Sequence, residues 1–189
     1  MEQERPWWIA TRVAAWVVGA LLVVLVATGV TLSFRYRPDI SYANVADMEQ
    51  RSMLTARSAH RLASALFLPA VGCLAIASIG LFLTRRDRGP VVFPLLAGGL
   101  TLAAAFTGYL LPWDQLSLWA VTVGTDMRGY APILRGHRVK YVLLGSTEVS
   151  TATMSRWFWV HTAVLPLVII GVLAALVVSA RRHPIGDAG

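Results

Sequence analysis

Residues 58–111 read SAHRLASALFLPAVGCLAIASIGLFLTRRDRGPVVFPLLAGGLTLAAAFTGYLL, two long apolar runs parted only by Arg85-Arg86-Asp87-Arg88-Gly89-Pro90. Crossing about 30 Å of hydrocarbon takes roughly 20 helical residues at 1.5 Å rise each, and both runs meet that length. The Gly-Pro pair ends one helix and lets the next begin. With so short a turn the two helices must be antiparallel neighbours.

Outward from this hairpin lie two more runs of the same kind, from Trp8 to Phe34 and from Arg156 to Ala180. The expected helices are therefore about 8–34, 58–84, 91–111 and 156–180. The first is too long in its apolar core, and too plainly lacking a small-residue cleavage site, for a signal peptide, and is read as a retained helix. Composition agrees: 56% hydrophobic residues, 14% charged residues and a mean hydropathy of +0.60 exclude a soluble domain of this size. The prediction is an all-α membrane protein, one domain over residues 1–189, folded as an up-down bundle of four transmembrane helices. Its long connections, 35–57 and 112–155, emerge on one face. No internal repeat or low-complexity linker divides the chain.

Charge bears on orientation. The net charge is +7, with Arg85, Arg86 and Arg88 in the short turn and Arg181 and Arg182 after the last helix. The positive-inside rule puts that face in the cytoplasm, although Arg35, Arg37, Arg57, Arg61, Arg135, Arg138 and Arg156 crowd the opposite one. The basic residues follow membrane boundaries and no recognition module accompanies them, so lipid is the expected environment and nucleic acid is not an expected partner. The single cysteine, Cys73, lies mid-membrane, excludes an intrachain disulfide and reads as an apolar filler.

His60 and His161 each stand near the start of a transmembrane helix, and the topology puts both starts at one membrane level. In that arrangement Gly29, His60, Gly108 and His161 are coplanar within about one helical turn. An imidazole in hydrocarbon needs a partner. A lone histidine is more often hydrogen-bonded to a neighbour than a ligand, but two at matching depth point to a site. Copper or zinc would want three or four matched ligands, and no further Cys, Met or carboxylate clearly shares the level. Two facing histidines with glycine on the other two walls suit a flat macrocycle, because haem iron takes two axial imidazoles and the ring needs close backbone approach. Arg57, Arg61 and Arg156 flank the pair, either snorkelling to the interface or neutralising haem propionates. His137 and His183 fall outside the helices and are read as solvated.

Four strings carry a resemblance. TGYLLPWDQLSLWAV from Thr107, ARSAHRLASA from Ala56, ATGVTLSFRYRPD from Ala27 and STATMSRWFWVHTAVLPLV from Ser150 resemble the amino-terminal half of the cytochrome b/b6 family. The b6 branch, of the quinol:plastocyanin type, is most similar, and the likeness runs from about Trp16 to Val178. It implies that His60 and His161 are the axial ligands of a non-covalent b-type haem near the positive side, with Gly29 and Gly108 packed on the ring. Arg57, Arg61 and Arg156 then fall near the propionates. It also implies that both termini and the Arg85 turn face the negative side.

The departures from that family decide what function is left. Its members carry a second histidine about four helical turns beyond each of the first two. Here those positions hold Leu74 and Ala175 or Leu176. The matching second glycines are replaced by Ala15 or Trp16 and by Pro94. A second haem is therefore expected to be absent, as is the covalent haem of the b6 branch, whose cysteine position holds Ala14. The family's quinol-oxidation pocket needs a Pro-Glu-Trp-Tyr element that this sequence lacks, so a subunit IV-like partner would have to supply it. Pro112 through Trp119 and the stretch to about Leu144 would form the near wall, with Asp114 as a proton acceptor or, more simply, a helix-end hydrogen bonder.

The expectation is an integral membrane electron-transfer subunit of a quinol-linked respiratory or photosynthetic oxidoreductase, in a prokaryotic inner membrane, working at the positive side with a c-type cytochrome or iron-sulfur protein. Two alternatives remain: a haem-bearing anchor for a periplasmic redox subunit without quinone chemistry, and a haem-free scaffold.

Overall fold

The computed structural model describes residues 5–50, 54–85, 89–126 and 149–182. The chain runs α1 (Arg5–Ser33), a 3-10 turn (Pro38–Ile40), α2 (Ser41–Gln50), α3 (Leu54–Arg85), α4 (Gly89–Leu110), α5 (Gln115–Asp126) and α6 (Thr151–Trp159). A π-helical turn (Val160–Val164) then leads without a break into α7 (Leu165–Arg182). No strand occurs among the described residues. Four segments have the length and apolarity of membrane spans: Pro6–Ser33, Thr55–Thr84, Val91–Leu110 and Thr151–Ala180.

The expected hairpin is present. α3 and α4 are antiparallel neighbours, α1 packs along α3, α7 packs along α4, and α1 also meets the π turn. The bundle is thus up-down, with each spanning helix beside its sequence neighbour.

The last span and the two long connections differ from expectation. The last span starts at Thr151 rather than Arg156, because Ser150 builds a capping box: its Oγ accepts from the Thr153 N–H while Thr153 Oγ1 accepts from the Ser150 N–H. The first long connection contains α2, and the second contains α5, whose start is fixed by Asp114. Residues 127–148, with Arg135, His137 and Arg138, lie outside the described residues, as do Arg86, Arg88 and His183.

Two apolar clusters divide the bundle along its length. One joins Val18, Phe67, Val71, Leu74, Ala97, Ile169 and Leu176, with Ala14, Ala15 and Phe93 against it. It fills the half nearer Arg85. Two polar atoms within that half, Ser78 Oγ and Thr101 Oγ1, are buried with no hydrogen-bond partner. At its far end the Trp7 indole lies against Gly80, in space a Cβ would occupy, and Arg12 sits 4.3 Å over the Trp8 ring. The second cluster joins Leu110, Val121, Met154 and Trp157 at the opposite end. The histidines lie between the two.

Candidate functional site

His60, near the start of α3, and His161, inside the π turn, come together as expected. Their ring centres are 6.3 Å apart, with planes inclined by 74°. Each faces the glycine of a neighbouring helix. A Cβ on Gly29 would lie 3.3 Å from His60 Cε1, and one on Gly108 would lie 2.5 Å from His161 Cε1. The four residues of the predicted level therefore share it: the His161 imidazole occupies the space a side chain on Gly108 would need, and the His60 imidazole lies tight against that of Gly29. No group of three or more His, Cys, Asp or Glu side chains able to hold a metal occurs among the described residues.

Sequence reasoning missed what holds the rings. Thr28 Oγ1 lies 2.9 Å from His60 Nδ1, and Thr107 Oγ1 lies 3.2 Å from His161 Nδ1. The Ala104 carbonyl is also 3.0 Å from His161 Nδ1. Both threonine hydroxyls donate into their own helix, Thr28 to the Val24 carbonyl at 2.6 Å and Thr107 to the Ala103 carbonyl at 2.9 Å. A hydroxyl has one proton, so with that proton committed it can only accept from the imidazole. Both rings then carry their proton on Nδ1 and leave the Nε2 lone pair for a ligand. The signal was visible in the sequence as a repeated dipeptide, Thr28-Gly29 and Thr107-Gly108, at one level of two helices.

The π turn is the second feature that spacing alone could not give. Pro166 has no N–H to offer the carbonyl one α-turn back, and the Leu165 N–H reaches the Val160 carbonyl instead. One extra residue enters the turn, so the residue four turns beyond His161 on the same face shifts by one. Of the pair Ala175 and Leu176, the side chain buried in the core is Leu176, at 6% exposure. The other ambiguous pair resolves likewise: Trp16 points outward at 76% exposure and Ala15 packs on the core. Leu74 is fully enclosed, and Pro94 is buried.

On the long-loop side the chain leaves α4 through Pro112-Trp113-Asp114. Trp113 has a φ of +49°, a left-handed conformation uncommon for a bulky residue, and its indole packs 6.1 Å from that of Trp157. Asp114 takes the helix-end role: its Oδ1 accepts from the Ser117 N–H and Oγ, both at 2.9 Å. Tyr36 ties three elements at this end, stacking on Phe158 with ring centres 5.3 Å apart and donating to the Leu111 carbonyl at 2.7 Å beside Ser41. Burial raises its phenol pKa above the ordinary value and the Ser41 hydrogen bond lowers it by less, so the donor keeps its proton.

The flanking arginines are placed unequally. Arg57 is half-buried, in electrostatic contact with Arg61 and Asp114, while Arg61 and Arg156 are exposed. Arg156 Nε donates to the Ala152 carbonyl at 3.3 Å. Cys73 is exposed on the outside of the bundle, away from the imidazoles.

Four spanning helices closing on a facing pair of imidazoles define a class, the helical membrane proteins with a two-histidine site inside the bundle. Comparison with known proteins places the chain within it: the family model of cytochrome b/b6/petB matches residues 9–183, and the chain belongs to the cytochrome b/b6 family. It is 34% identical over 177 residues to a cytochrome b6 of Heliobacterium mobile, covering 88% of this chain and 81% of that relative. It is 32% identical over 171 residues to the cytochrome b6 of Heliobacterium modesticaldum, covering 87% and 79%. A cytochrome b of Cereibacter sphaeroides is 32% identical over 169 residues, which are 84% of this chain and 37% of that one. Membership makes the chain an integral membrane electron-transfer subunit of the haem-b type.

Proposed function

We propose that the chain is a mono-haem b-type cytochrome, an electron-transfer subunit of a quinol-linked respiratory or photosynthetic oxidoreductase, active at the positive side of a prokaryotic inner membrane. The observation that carries this reading is the 6.3 Å separation of the His60 and His161 ring centres. His60 and His161 would hold the iron of a haem between them, for which ring centres about 6 Å apart leave room. The residues fit the group. Both Nδ1 atoms are engaged, and Gly29 and Gly108 form a cradle that a Cβ would fill.

A haem bound there supplies a one-electron ferric–ferrous couple. The chain's own residues would bind and orient it: the two imidazoles would ligate, the threonines and the Ala104 carbonyl would fix their planes, and the Leu110–Trp157 cluster would exclude water from the positive side. Arg57, Arg61 and Arg156 offer guanidinium groups near the same end for the propionates, whose geometry they match.

The single-haem count is supported by the other half of the bundle. Ala15, Leu74 and Leu176 belong to one apolar cluster, and Pro94 is buried in the same half, where ligands and glycines would be needed for a second ring. With one carrier near one face, electrons enter and leave on that face. Both termini and the Arg85 turn lie on the cytoplasmic side in this reading, in line with the positive-inside rule. Completing the quinol site falls to a subunit IV-like partner, and a Rieske-type iron-sulfur protein or c-type cytochrome takes or gives the electron.

A pyridine haemochrome assay on the purified chain tests the count. One haem per chain is expected. Two overturn the mono-haem reading, and none overturns the cytochrome reading itself in favour of a scaffold. Reduction of the haem by a quinol, with the partner subunits present, is the expected functional result; its failure with every quinol class favours the anchor.

A further inference from the structure

His60 stands in a regular α-helix, but His161 stands inside the π turn. Leu74 and Leu176 belong to one buried cluster, yet Leu176 comes one residue further beyond His161 than Leu74 comes beyond His60. In an unbroken α-helix that surplus residue would turn His161 away from the Leu176 face by about 100°. The π turn absorbs it, so the imidazole still faces that of His60, with its Nδ1 3.0 Å from the Ala104 carbonyl. What places the turn beside the histidine is Pro166. It has no N–H for the Thr162 carbonyl in an α register or for the His161 carbonyl in a π register, and the Leu165 N–H reaches back to Val160. Thr162 Oγ1 donates to the Phe158 carbonyl at 2.7 Å across the same turn, a bond that bends helices locally. Pro69 lies inside α3 with no such turn, so a missing N–H widens a helix only where a surplus residue is there to take in.

We infer that Pro166 is a positioning residue of the site: it pins the surplus residue of the last span beside His161, and so aims the imidazole at Gly108 and the Ala104 carbonyl while Leu176 stays in the core. The inference rests on the haem reading above. Alanine at position 166 supplies the N–H that regular bonding needs, and the turn can then close into α-helix. That closure rotates His161 and Leu176 apart by about 100°. Ile169 and Leu176 anchor the long α7 in the core, so it is the imidazole that turns. Its Nδ1 then leaves the Ala104 carbonyl and Thr107. Loss of such outer partners typically weakens metal binding by roughly 10–100-fold.

Pro166→Ala, made in the full chain within its assembled complex, is expected to lower haem affinity by roughly 10-fold or more. It should raise the midpoint potential, since an imidazole without its Nδ1 acceptors is a weaker donor and stabilises ferric iron less. It should also change the low-spin ferric EPR signal, which reports how the two ring planes, inclined by 74°, stand to each other. Deleting Ala163 from the Pro166→Ala chain removes the surplus residue. The Leu165 N–H then reaches Val160 as an ordinary α-helical bond, and His161 and Leu176 share a face again. Haem content, potential and EPR signal should return toward wild type in that double variant, which a general loss of structure at position 166 would not allow. Pro69→Ala controls for proline removal as such and should leave all three unchanged. Loss in Pro166→Ala with recovery on deletion supports the inference. A wild-type potential and EPR signal in Pro166→Ala, equal shifts in Pro69→Ala, or a double variant no better than Pro166→Ala overturns it while leaving the haem reading intact. A wild-type chain without haem overturns the haem reading and this inference with it.

Discussion

The two halves of this bundle are built from the same four helices and have opposite interiors. Toward the long connections, α3 and the π turn contribute imidazoles while α1 and α4 contribute Thr-Gly pairs that receive them. Toward the Arg85 turn, the equivalent positions carry Leu74, Leu176, Ala15 and Pro94, and the interior is mainly apolar, with the Ser78 and Thr101 hydroxyls buried in it. Helix packing alone therefore does not make a cofactor site. Each wall must either reach in with a donor or withdraw its side chain, and on the single-haem reading the four walls toward the Arg85 turn do neither.

The strongest way to break this comparison is to remove a ligand on one side and a core residue on the other. His161→Ala is expected to leave the chain without haem, as read by the pyridine haemochrome, because His60 and His161 are the two histidines among the described residues. If that variant binds haem normally, the outer half is not the site.

Within the outer half, the glycines separate the walls. Gly108→Ala would drive a methyl to 2.5 Å from His161 Cε1, whereas Gly29→Ala would place one 3.3 Å from His60 Cε1. The first requires the imidazole or the helix to move, and the second requires only a small yield. Haem content is expected to fall severely in Gly108→Ala and partially in Gly29→Ala, and the reverse order would show that the two approaches are ranked wrongly.

The inner half answers to a different measurement. Leu74→Ala opens a cavity in a fully enclosed position, and large-to-small changes of this kind cost about 2–5 kcal/mol. Thermal unfolding in detergent should register that loss while the haem-to-protein ratio stays at its wild-type value. A coupled loss of haem would mean that the two halves are one cooperative unit, and the division between them would fail.

Much of this was legible in the sequence because the bilayer forces it to be. Apolar runs of membrane length, one short turn and two long connections determine an up-down bundle, and that topology brings His60, His161, Gly29 and Gly108 to one level without knowledge of any contact. What stayed hidden depends on local backbone events. The choice between Ala175 and Leu176 turns on one π turn, which follows from the missing N–H of Pro166 and cannot be counted from spacing. The start of the last span depends on Ser150 and Thr153 capping each other, a pair that a search for Ser followed by Glu or Gln passes over. The threonines went unread for another reason: Thr28 and Thr107 look like ordinary membrane-helix residues bonded back to their own carbonyls, and only the fold shows that this bond turns their oxygens toward the imidazoles.

The smallest expected effect concerns how the two ends of the bundle are fastened. At the Arg85 end the described contact is apolar, the Trp7 indole against Gly80. At the other end it is polar: the Tyr36 hydroxyl joins the end of α1 to the Leu111 carbonyl beyond α4, and its ring stacks on Phe158 of α6. Tyr36→Phe keeps the stack and removes the hydroxyl, so the expected loss is that of its hydrogen bonds with Leu111 and Ser41, about 0.5–1.5 kcal/mol each. Unfolding should shift by that amount, with haem content unchanged, because Tyr36 makes no contact with either imidazole. A drop in haem content from this one oxygen atom would show that the spacing of α1 and α4 at the histidine level is set from the long-loop end, and that the Thr-Gly pairs alone do not hold their helices at the distance the imidazoles need.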